Sequence, residues 1–117
     1  MQLASYKGQG DIHAVVTKIV SGIENSALTA ELLQKVSHTV GGHQVMLLGF
    51  EKFFYRSQNR GMLTMMITED DYETITIDII SGGTSTGVFF KFDWGASKSF
   101  INTVDQILID LNFTKSN

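Results

Sequence analysis

Glu51 is the one general-acid candidate that the sequence of this chain offers. It stands inside the apolar run His43–Arg56 (HQVMLLGFEKFFYR), between Phe50 and Lys52. A carboxyl buried there without a partner would have a raised pKa, because burial disfavours the charged form, and such a group is a general-acid candidate. The more ordinary expectation is a carboxylate near a strand end that reaches water, since unpaired buried carboxylates are rare. Arg56 and Arg60 flank the polar turn Ser57-Gln58-Asn59. Two guanidinium groups beside side-chain amides could hold a phosphate or a carboxylate, although most polar turns are simply solvated.

Other groups offer less. Ser81–Gly87 (SGGTSTG) has the glycines and hydroxyls of a phosphate cradle but matches neither phosphate-loop spacing, and a strand rather than a helix is expected after it. His38 and His43 lie near Gly41-Gly42, but two imidazoles without a third ligand make a poor zinc site. His13 is expected to be exposed on the first turn of a helix. Glu69, Asp70, Asp71 and Glu73 lack the ligand spacing and glycine of a calcium loop. No paired carboxylates, thiol or Ser/His/Asp arrangement points to an enzyme, and no cofactor or metal is called for.

The elements that carry these residues are organised around His43–Arg56. Val45, Leu47, Gly49, Glu51 and Phe53 fall on one side of a strand there, and Met46, Leu48, Phe50, Lys52 and Phe54 on the other. Gly41-Gly42, set between two alternating runs, is the signature of a two-residue hairpin whose turn needs positive φ. That turn places Val40 opposite His43, Val36 opposite Leu47, Leu33 opposite Phe50 and Glu31 opposite Lys52. Residues 26–40 also read as a helix (AELLQKV); the glycine pair favours a strand from about residue 29.

Along the rest of the chain, residues 1–7 form a strand candidate, and Asp11 is the N-cap of a helix. The stripe of that helix is Ile12, Val15, Val16, Ile19 and Ile23. Met62–Thr68 alternates, Glu69-Asp70-Asp71 is a charged turn, and Glu73–Ser81 sets Ile75, Ile77 and Ile79 against Thr74, Thr76 and Asp78. Ser81–Gly87 is a flexible connection. Val88, Phe90, Phe92 and Trp94 then alternate as a further strand. Ser97 is expected to cap a second helix with Phe100, Ile101, Val104, Ile107, Leu108 and Leu111 on its buried side, and Thr114–Asn117 to fray.

With 117 residues, 43% hydrophobic and 18% charged, the chain fits a single domain over residues 1–117. It contains neither cysteine nor proline. The N-terminus has no signal-peptide pattern, and no stretch reaches the ~18–20 apolar residues of a membrane span. A cytoplasmic location without membrane contact is expected. A net charge of −3 argues against a nucleic-acid partner.

The order of elements implies an α+β domain: a curved antiparallel sheet of about six strands in β-α-β5-α order, with two helices on one face. That order resembles the TATA-binding-protein-like and helix-grip folds. The segments SALTAELL, FEKFFYRSQNRGMLT and SGGTSTGVFFKFDWGA resemble a family of small uncharacterised bacterial proteins. That resemblance implies no activity and carries no site residues.

Two helices cover only one face of such a sheet, yet both faces are apolar near its middle. Met46, Leu48, Phe50 and Phe54 are the expected uncovered patch, with Met62 and Met66 continuing it, and an exposed patch of that kind marks an interaction surface. The leading expectation is therefore a non-enzymatic, self-associating interaction domain, a homodimer through sheet faces or edges. The alternative is a carrier for a small apolar or anionic ligand, held between the sheet and the last helix. Phe90, Phe92, Trp94 and Phe100 would line that pocket, with Arg56, Arg60 or Glu51 orienting the ligand. An enzyme using Glu51 is the third reading.

Overall fold

A computed structural model describes residues 2–54, 58–85 and 94–116. The elements are β1 (Gln2–Gln9), α1 (Ile12–Ser26), β2 (Ala30–Val40), β3 (His43–Phe54), β4 (Asn59–Glu69), a 3-10 turn (Asp71–Glu73), β5 (Thr74–Ser85), α2 (Trp94–Asp110) and β6 (Thr114–Lys115). All pairings are antiparallel, and the strands lie in the order β2-β3-β4-β5-β1-β6. The α+β class and the six-stranded antiparallel sheet with two helices agree with the sequence pattern.

Local chemistry explains the two clearest elements. The Asp11 carboxylate accepts from the Ala14 backbone N–H at 3.0 Å and caps α1. All five residues of the expected stripe are buried. Gly41 and Gly42 take φ of 58° and 83° and join β2 to β3 by a two-residue turn, with Val40 opposite His43 and Val36 opposite Leu47.

The expected pairing fails at the base of that hairpin. A bulge at Leu33 puts Leu32 opposite Phe50, Glu31 opposite Glu51 and Ala30 opposite Lys52. The extra residue moves β2 to the other phase of the pleat. Ala30 and Leu32 thereby turn toward the core, while Leu33 is left exposed.

Both helices cover the same face of the sheet. Beneath them lie Met46, Leu48 and Phe50 of β3, Leu63, Met65 and Ile67 of β4, and Ile75, Ile77 and Ile79 of β5. From above, α2 contributes Phe100, Val104 and Leu108. The core is bolted to β1 by Tyr6, whose hydroxyl donates to the Asp105 carboxylate of α2. Burial first, and then that hydrogen bond and the neighbouring charge, push the phenol's pKa far above its ordinary value.

From Ser81 onward two expectations change and a third falls almost wholly outside the described residues. Ser81–Ser85 continues β5 instead of forming a flexible connection, and the Val88–Trp94 strand falls on residues 88–93, outside the described residues, and on Trp94, which opens α2. Ser97 therefore lies inside α2 and is not its N-cap.

Finally, Thr114 and Lys115 do not fray. Asn112 takes φ of 67°, its N–H donates to the Ile109 carbonyl and the Phe113 N–H to that of Leu108. That is a Schellman ending, with the buried Phe113 closing over Leu108. It reverses the chain onto β1, where Tyr6 pairs with Lys115 and Lys7 with Thr114.

Tyr6 yields a test with a defined sign. Its folded-state pKa is raised, so its contribution to stability is complete below the unfolded phenol's value of about 10 and is lost as pH rises beyond that. Urea unfolding of wild type is expected to show a decline in stability above about pH 10 that is smaller in Tyr6→Phe, which itself costs about 1 kcal/mol near neutrality. Identical pH slopes for the two proteins would contradict this role.

Candidate functional site: the open face of the sheet

The side of the sheet away from the helices is built from four registered rows, the first of them His38, Val45, Thr68, Thr76 and Lys7. Val36, Leu47, Met66, Asp78 and Ser5 form the second, and Gln34, Gly49, Thr64, Ile80 and Leu3 the third. Glu51, Met62 and Gly82 form the fourth. Leu47, Met62, Met66 and Ile80 are each 41–48% exposed, and Leu3 is 63% exposed. Isolated exposed apolar side chains are common, but a contiguous group of five is not.

A shallow concavity of about 340 Å³ lies in this face, lined by Leu3, Leu47, Met66 and Ile80 with Ser5, Thr64 and Asp78. Near it, a Cβ built on Gly49 would meet nothing within 4 Å. Its main polar feature is Asp78, whose carboxylate accepts from Ser5 Oγ at 2.7 Å. At the margin, Arg60 Nη1 donates to Glu51 Oε1 at 2.7 Å.

Several expected site residues are placed differently. Met46, Leu48 and Phe50 face the helices and are buried, so they cannot form the uncovered patch. The reason is register: Met46 pairs with Ile67, Leu48 with Met65 and Phe50 with Leu63, all core residues. Met62 and Met66 are exposed, but they belong with Glu51 and Leu47 on the opposite face. The backbone of Phe54 is in β3, and its side chain is outside the described residues.

Glu51 is opposite Glu31 and Met62, and Arg60 is its ion-pair partner, so the premise of an unpartnered general acid is gone. Arg56, Phe90 and Phe92 lie outside the described residues, as does the Trp94 side chain. Phe100 is a fully buried core residue. His13 and His38 are exposed, and His43 Nε2 lies 3.3 Å from Asp71 Oδ1. No group of three potential metal ligands occurs among the described residues.

Leu3, Ile80 and the Ser5–Asp78 pair were missed as members of this surface. Their signal was alternation within β1 and β5, but it has meaning only once β1 is known to pair with β5. A second groove, about 330 Å³, runs between α1 and the edge strand β2, lined by Val16, Val20 and Leu32 with Glu24 and Lys35 at its rim.

Over residues 1–112 the chain matches the model of DUF6054, a family of unknown function, and it belongs to that family. No curated protein and no solved structure matches it. Among the described residues no helix is long and apolar enough to cross a membrane.

The two faces are separated by a pair of glycine substitutions. At Gly8, an added Cβ would sit 2.6 Å from the Phe113 ring, so Gly8→Ala is expected to cost about 1–3 kcal/mol by overpacking. Gly49→Ala should be neutral or stabilising by up to about 1 kcal/mol, because it meets open space and removes unfolded-state entropy. Chemical denaturation of both variants at low protein concentration checks this, and a comparable loss at Gly49 would mean that its face is packed.

Proposed function

We propose that this chain is a non-enzymatic interaction domain that self-associates through the open face of its sheet, the occupant being a second copy of the same chain. The observation that carries the reading is the contiguous group Leu3, Leu47, Met62, Met66 and Ile80, exposed on a face that neither helix covers. Five long strands spaced ~4.8 Å apart, over four rows of side chains, span roughly 600–700 Å² in plane. Side-chain relief brings that to the order of the ~800 Å² per partner of a standard interface.

The arrangement also has the anatomy of an interface. Apolar residues lie at the middle, and the Glu51–Arg60 pair, Lys7 and Thr68 lie toward the margin. Asp78 enters such an interface with a hydrogen bond already supplied by Ser5, which lowers the penalty of burying it. The location we propose is the cytoplasm.

Size-exclusion chromatography with light scattering tests this directly. Wild type is expected to associate at low micromolar concentration, and Met66→Glu, which puts a charge in the middle of the apolar group, to lose the open-face contact and run at a smaller mass with an unchanged fold by circular dichroism. Wild type that is monomeric throughout overturns the reading. Native mass spectrometry of that monomer would then ask whether a retained small molecule, as in a carrier, occupies the concavity instead.

A further inference from the structure

The sheet has two edges, and they are treated differently. At one edge β6 pairs with Tyr6 and Lys7 in the middle of β1, and the Ser116 N–H donates to the Ser5 carbonyl at 2.8 Å. At the other, β2 is an edge strand of eleven residues, nine of them exposed. An unpaired strand presents a row of backbone donors and acceptors to any second strand, and stable proteins blunt such edges with bulges, charges or cover.

Among the described residues, the protection of β2 is confined to its base. There the Leu33 bulge breaks the regular edge, and the Glu24 carboxylate accepts from the Leu32 N–H at 3.3 Å. From Gln34 to Val40 the strand is regular and exposed, and it contains one lysine, Lys35, with no arginine, aspartate or glutamate.

The turn determines which backbone groups are free. In a two-residue hairpin the residues flanking the turn, here Val40 and His43, exchange both of their hydrogen bonds, and the pattern then alternates. Val40, His38, Val36 and Gln34 therefore bond to β3, while Thr39, Ser37 and Lys35 direct their N–H and C=O groups away from the sheet.

We infer that Gln34–Val40 is a strand-addition site for a second copy of this chain, paired antiparallel about a two-fold axis at Ser37. This register sets Ser37 opposite its counterpart and Lys35 opposite the partner copy's residue 39, a threonine. It uses every outward group of the unprotected stretch, roughly six hydrogen bonds at one donor and one acceptor per residue.

Charge selects the same register. The two copies of Lys35 are then four residues apart along the strands, ~13 Å, which exceeds the ~8 Å screening length at physiological salt. Centring on Lys35 would oppose the two ammonium groups directly, and centring on Thr39 would leave Lys35 unpaired.

Shape agrees as well. α1 lies against the base of β2, at Leu32 and Lys35. In an antiparallel pair centred on Ser37 each base extends past the other copy's turn, so the two α1 helices stand at opposite ends of the seam. The inference concerns a surface separate from the open face and does not depend on it.

The chain has no cysteine, so a single introduced thiol reports this register. Opposed hydrogen-bonded residues have Cα atoms ~5.5 Å apart, within disulfide range, whereas residues 35 of the two copies are well beyond it. Under mild oxidation with diamide at low micromolar concentration, Ser37→Cys is expected to crosslink roughly tenfold faster than Lys35→Cys. Both sites are exposed, and unchanged unfolding midpoints in the reduced proteins would show both variants folded.

Thr39→Lys opposes Lys35 of the other copy. It should slow crosslinking of Ser37→Cys, and adding Lys35→Glu should restore it. Equal crosslinking at positions 35 and 37, or indifference to Thr39→Lys, overturns the inference. Repeating the comparison in Met66→Glu separates the surfaces: crosslinking that survives there while the open-face dimer is lost assigns β2 its own role.

Discussion

Two helices can cover one face of a six-stranded sheet, and in this chain both lie on the same one. Most of the organisation follows from that inequality. Under the helices the strands present an almost unbroken apolar surface, with Met46, Leu48 and Phe50 meeting Leu63, Met65 and Ile67 across the β3–β4 ladder. Because strand side chains alternate, each residue committed inward leaves its neighbours outward. The outward set is mixed. Thr64, Ser5 and Asp78 suit water, whereas Leu47, Met62, Met66 and Ile80 leave apolar area exposed that burial would stabilise by about 25 cal/mol per Å².

The covered face is held by a few specific devices. The buried Tyr6 phenol reaches the Asp105 carboxylate and ties β1 to α2. The left-handed Asn112 then reverses the chain so that Phe113 packs over Gly8, a position with no room for a side chain. That closure brings Thr114 and Lys115 onto β1 at Lys7 and Tyr6 and covers the middle of that edge of the sheet. Among the described residues no equivalent device covers the other edge beyond the Leu33 bulge, and the β2–β3 arm there carries exposed Val36 and Val40. Among the described residues the fold is thus covered on one face and at the middle of one edge, and open on the opposite face and along most of the opposite edge.

Much of this was legible from local chemistry. Asp11 followed by a stripe at helical spacing has one structural meaning, and so do two glycines between alternating runs; both elements form with the expected residues. Four other features needed information that is not local. Periodicity cannot locate a bulge, so a strict count from the turn carried Leu33 to Phe50 and reversed the facing of Ala30 and Leu32. Alternation within β3 defines two faces without saying which one the helices take, and this is why Met46, Leu48 and Phe50 were assigned to the wrong side. The Schellman reversal at Asn112 lacks the usual glycine, so the short strand after it looked like a fraying tail. Glu51 acquires its partner Arg60 only through the β3–β4 register.

The central claim is that the open face is covered by a second copy. The methionines of the chain can report this without any mutation, because oxidation to the sulfoxide follows exposure. Met62 and Met66 are 41% and 42% exposed in the isolated chain, while Met46 and Met65 are buried. Peroxide oxidation mapped by mass spectrometry across a dilution series gives their relative rates. The account requires fast oxidation of Met62 and Met66 in dilute protein and protection of both as concentration rises, with Met46 and Met65 slow throughout. Rates at Met62 and Met66 that stay fast and independent of concentration up to the highest attainable would contradict it.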